Sequence, residues 1–134
     1  MTGIDMDGKH YRVRGKYETL TESAELVEGI NEGKMLSGRH ERDLEGTFYS
    51  HSLEVEPDPR HPEDYDQLFD DLSAPVPSHV ITMPHGQGTV TYEAEVSGVQ
   101  RFSRGVMAGV RRWSGMTASF SSIRPVRTPG EESQ

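Results

Sequence analysis

A chain of 134 residues with a net charge of −8 and no cysteine fits one domain. It excludes disulfide frameworks, thiolate metal sites and a surface basic enough to wrap nucleic acid. Hydrophobic residues make up only 32% and mean hydropathy is −0.71, lean for a globular chain, so a thin β layer, long exposed loops or a surface completed by neighbouring subunits is expected.

Ile4–Arg14 reads as a hairpin about Asp7-Gly8, a favoured two-residue turn, with Ile4 and Met6 before it and Tyr11 and Val13 after. Tyr17–Val27 continues as a strand, with Leu20, Ala24 and Leu26 on alternating positions and one wet face. Residues 28–46 have no usable period, and their glycines and dense charge predict a long inter-strand loop. Either it is a surface loop, or it is an arm that orders against a neighbour through Met35 and Leu36. Thr47–Glu56 is a strand with Tyr49, Leu53 and Val55 on one side, and Pro57, Pro59 and Pro62 form a stiff link into a helix.

Pro62–Leu72 is that helix, the one amphipathic segment of the chain. Tyr65, Leu68, Phe69 and Leu72 recur at the helical period, Pro62 suits the first turn, and Glu63, Asp64 and Asp66 complement the helix dipole. Pro75 and Pro77 stop it. Three turns do not hold in water alone, so this stripe has to lie on a sheet. Ser78–Met83 and Thr89–Val96 form a hairpin through Pro84–Gly88, with Val90, Tyr92, Ala94 and Val96 facing one way. Gly98–Arg111 is ambiguous, with a weak strand about Arg101–Ser103 and then a loop. Arg112–Ile123 is the last strand, with Met116, Ala118 and Phe120 inward. The chain thus divides into a domain over 1–127 and a polar, frayed tail over 128–134. The fold class is mainly β (α+β): about seven antiparallel strands in a β-sandwich or partly open barrel, flanked by the 62–72 helix.

Nothing in the sequence assembles chemistry. Of the six histidines, no two share the i, i+2 or i, i+4 spacing of a ligand pair, so no metal site is expected. The carboxylates cluster on the outer face of the helix, where acids sit in water. No nucleophile elbow or phosphate-cradling glycine loop occurs, and neither catalytic residues nor a cofactor are expected. No apolar run approaches the ~18 residues of a membrane span, and the first residues lack a signal region, so a soluble, unsecreted chain is expected.

Charge is unevenly spread. His51–Ala74 holds eight acids against Arg60, and Val99–Arg127 holds six arginines and no acid. Two readings stand: a solvated surface, or complementary faces that meet between identical subunits.

The string Gly38–Tyr49 (Gly-Arg-His-Glu-Arg-Asp-Leu-Glu-Gly-Thr-Phe-Tyr), with Pro62–Asp66, Ser73–Val76, Met83–Thr89 and Arg112-Trp113, resembles small proteins encoded among phage and prophage tail genes. The opening Ile4–Gly8 hairpin and the closing Pro125–Arg127 extend the resemblance nearly end to end, and the chain departs from the pattern at Arg101–Arg111. The resemblance implies a tail tube or distal tail architecture, in which copies form rings stacked around a DNA channel. The expected partners are further copies and other virion proteins; DNA passes without specific binding, and no membrane is involved. The resemblance also implies assembly in the host cytoplasm and residence in the virion tail. The alternative role is a head–tail connector, tail terminator or capsid-associated protein. Candidate interface residues are Met35, Leu36, Arg39 and Arg42 on the long loop and Arg101, Arg104, Arg111 and Arg112 on the arginine-rich stretch.

Overall fold

The computed structural model describes residues 3–28 and 44–128. Its elements are β1 (Ile4–Met6), β2 (Lys9–Tyr11), β3 (Val13–Glu28), β4 (Leu44–Pro57), α1 (Pro62–Leu72), β5 (His79–His85), β6 (Gly88–Met107) and β7 (Val110–Ser122). The strands form one seven-stranded sheet in the order β2-β1-β5-β6-β7-β4-β3, and every pairing is antiparallel.

This is a single open sheet, not two stacked ones, and its ends curl toward each other. The Tyr17 hydroxyl of β3 donates to the Gly3 carbonyl at 2.9 Å, and His85, at the end of β5, meets Glu22 of β3. Of the two architectures the sequence allowed, the partly open barrel is therefore the nearer.

The alternation of apolar residues makes one face of this sheet the core. Ile4, Met6, Val13, Leu53, Val55, Ile81, Met83, Met116, Ala118 and Phe120 lie in one buried cluster with Tyr65, Leu68 and Leu72 of the helix. Burial of those three helix side chains contributes roughly 1.5–3 kcal/mol each. α1 starts at Pro62 and has Glu63 and Asp64 in its first turn. It ends where the Ser73 N–H turns back to the Phe69 carbonyl. Directional contacts fix it on the sheet: Tyr65 donates to the Ser114 carbonyl at 2.7 Å, and Tyr11 donates to Asp71 at 2.5 Å. Both Arg12 Nε and the Arg12 N–H donate to Asp64.

Three expectations change. The strand about Arg101–Ser103 is there, but no loop follows it: β6 runs on to Met107, turns at Ala108-Gly109 and returns as β7. Ala108 and Gly109 have φ of 52° and 77°, the turn geometry whose twist suits a tight hairpin. Register shifts within this ribbon are β-bulges, and they scramble the alternation that would have marked it as strand. Second, Glu28 and Leu44–Gly46 are strand, because β3 and β4 stay paired to Glu28↔Leu44; the rest of the expected loop, with Met35, Leu36, Arg39 and Arg42, lies outside the described residues. Third, Ala24 and Leu26 are exposed. Before Ser50, β4 has no ladder pairing with β7 among the described residues, although the Tyr49 N–H still donates to Ser122 Oγ at 3.1 Å, and beyond that contact the β3–β4 pair extends past the core. Gly46 there has φ of 154°, and a Cβ on it would sit 2.5 Å from the Arg127 carbonyl oxygen and from Pro125. The returning C-terminal segment pairs at this point, Thr47↔Arg127.

Candidate assembly surfaces

Strand directions place two hairpins at opposite ends of the sheet. Since β4 meets β7 from Ser50↔Ser121 to Val55↔Met116, the β6–β7 turn projects beyond Met116 and the outer β3–β4 arm projects beyond Ser121.

Among the described residues the outer part of the β6–β7 ribbon is open on both flanks. β5 pairs with β6 only from Gly88 to Ala94, and β4 reaches β7 only from Met116 onward. Its tip exposes Phe102, Val106, Met107 and Val110, each more than half accessible at 52%, 56%, 63% and 57%. Arg104, Arg111 and Arg112 are exposed around them. Arg111 donates to Ser103 Oγ at 2.9 Å, and among the described residues none of the three has a carboxylate partner.

Arg101, grouped with them by sequence, does a different job. Its guanidinium lies 4.0 Å from the Phe69 ring centroid and 4.2 Å from that of Trp113, and its Nη1 donates to Asp66 at 2.9 Å. It clamps α1 to the base of the ribbon. The acidic helix face is likewise partly neutralised within the chain: Arg12 pairs with Asp64 and Lys9 approaches Asp71, and the Arg12 contacts hold the Asp64 carboxyl at about 2. The charge contrast seen in sequence is thus partly spent inside the molecule.

What remains acidic and open is β3. It is the last strand of the sheet, so its outer flank offers unpaired backbone groups among the described residues. Glu18, Glu22 and Glu25 are exposed along it, and Leu26 is 52% accessible. Glu18 and Glu25 meet no basic side chain among the described residues.

Glu22 anchors a polar cluster that sequence spacing did not show. It accepts from His85 Nδ1 at 2.5 Å and lies 3.3 Å from Nε2 of buried His51. That nitrogen also faces the Pro84 carbonyl at 3.2 Å. Because both neighbours of Nε2 are acceptors, Nε2 carries the proton, and Nδ1 accepts from the Tyr92 hydroxyl at 2.6 Å. The His85 hydrogen bond lowers the Glu22 pKa. Burial lowers that of His51 against the opposing pull of Glu22, and burial raises that of Tyr92. The cluster ties β3 and β4 to the β5–β6 hairpin. The signal that could have found it was His51 in phase with Tyr49, Leu53 and Val55, an inward position for a polar residue.

Among the described residues, no group of three or more His, Cys, Asp or Glu is disposed to hold a metal ion. An apolar gap in the core, lined by Ile4, Leu53, Val55, Leu68, Met116 and Phe120 among others, measures about 10 Å³, no more than one water needs. No helix among the described residues is long and apolar enough to cross a membrane. No protein-family model matches this chain, and no curated protein matches it.

Proposed function

We propose that this protein is a structural virion component of a phage-type tail, working by self-assembly into rings around a DNA channel. One observation carries the reading: a single sheet ends in two open β arms of opposite character, basic and apolar at β6–β7, acidic at β3. Such ends are complementary between copies but not self-complementary, which favours a head-to-tail, heterologous contact that closes into rings or propagates as fibres. The resemblance of Gly38–Tyr49 and the other strings to tail-gene proteins supplies the tail setting. Net charge of −8 suits a channel past which phosphates slide without sticking. The partners are other copies and neighbouring virion proteins.

Size-exclusion chromatography with light scattering, followed by electron microscopy, tests the reading. Rings or stacks that grow with protein concentration are expected. A strictly monomeric protein at high concentration overturns it.

A further inference from the structure

We infer that the β6–β7 ribbon docks on the outer edge of β3, open among the described residues, in a second copy of this chain, adding its strands to that sheet. The inference rests on the self-assembly reading and names the surfaces that meet.

Two-stranded ribbons are marginal in water, and this one bares four apolar side chains, Phe102, Val106, Met107 and Val110. Its turn is also poorly made. Ala108 sits at φ 52°, in the left-handed region that strains an L-residue with a Cβ, whereas the same geometry at the first hairpin is supplied by Asp7-Gly8. A ribbon of this kind gains order from a partner that pairs its backbone and covers its apolar side chains.

β3 offers both in the same chain. Its outer flank is an open row of backbone donors and acceptors among the described residues, the template for strand addition. Among the described residues the Glu18 and Glu25 carboxylates along it meet no basic partner, and Arg104 and Arg112 no acidic one. Leu26 adds an apolar contact beside them. Nucleic acid is the less suitable occupant of the ribbon, because three of its four bared apolar side chains, Val106, Met107 and Val110, give bases no ring to stack on and only Phe102 does.

The test is a charge exchange on the full chain. One variant carries Arg104→Glu with Arg112→Glu, the other Glu18→Lys with Glu25→Lys. Each alone assembles only at protein concentrations raised by about tenfold or more. An equimolar mixture assembles again, because each reversed ribbon then meets a reversed edge; recovery also shows that both variants are folded. Independently, hydrogen exchange on the wild-type protein slows by about tenfold or more in the ribbon and in β3 together when copies assemble.

Assembly unaffected by the reversals, no recovery on mixing, or protection gained in other strands only would overturn the pairing while leaving self-assembly standing. A wild-type protein that never assembles removes both. Retention of short duplex DNA by the wild type, lost with the arginine reversals and without contact between copies, makes nucleic acid the occupant and removes the pairing.

Discussion

Arg101 and His51 show how single residues set the local energetics. The Arg101 guanidinium lies between Phe69 and Trp113, an arrangement that contributes about 1–2 kcal/mol when largely desolvated. Arg101→Ala should therefore lower the unfolding free energy by about that amount in urea titration, whereas Arg104→Ala, on the exposed ribbon, should change it by less than about 0.5 kcal/mol. The histidine cluster gives a pH dependence whose sign comes from linkage. His51 and Glu22 both titrate below their ordinary values of 6.5 and 4.5. The unfolded chain thus takes up each proton before the folded one does. The contribution of these two groups is full above about pH 6.5 and falls as acid first titrates His51 in the unfolded state. It falls further below 4.5 as Glu22 does the same. Urea titrations at a series of pH values should show both limbs, with His51→Gln flattening the upper and Glu22→Gln the lower.

At the scale of elements, what could be read in the sequence depended on how local its cause was. The helix Pro62–Leu72 was legible to the residue, because one period, one proline and two acids define it within the segment itself. The hairpins about Asp7-Gly8 and Pro84–Gly88 were legible through their turn chemistry. The β6–β7 ribbon was not. Its register shifts break the alternation, its turn residue is Ala108 where a turn-forming Asn or Asp is usual, and its apolar side chains face solvent. Replacing Ala108 by Asn, which tolerates the positive φ better, should slow amide exchange in the ribbon and raise stability by up to about 1 kcal/mol. In contrast, Gly46→Ala would push a methyl group against the Arg127 carbonyl and Pro125. It should free the C-terminal return from β4, seen as faster exchange at Thr47 and Val126, whose amides donate across that junction. Helix packing carries the largest single cost: Leu68→Ala should destabilise by about 2–5 kcal/mol in the same urea assay.

Over the whole molecule, the curl of the sheet decides what its surface can do, and curl is set by contacts between distant residues that no local pattern announces. Glu22 reaching His85, or Tyr17 reaching Gly3, depends on where all seven strands end up. The candidate surfaces were partly legible for the same reason: the arginine-rich stretch was visible as composition, but Arg101 turned out to be committed to the helix, and the acidic edge on β3 emerged only once β3 was known to be outermost. The topology has one more outcome. β1 pairs with β5, Asp5 opposite Thr82, so β1, made before them, has no berth on that side until the helix and the strand beyond it have been synthesised. Refolding should then be slow, in milliseconds to seconds. Stopped-flow fluorescence of the single tryptophan would time it, and the waiting β1–β2 hairpin would be the segment most open to chaperones and proteases meanwhile.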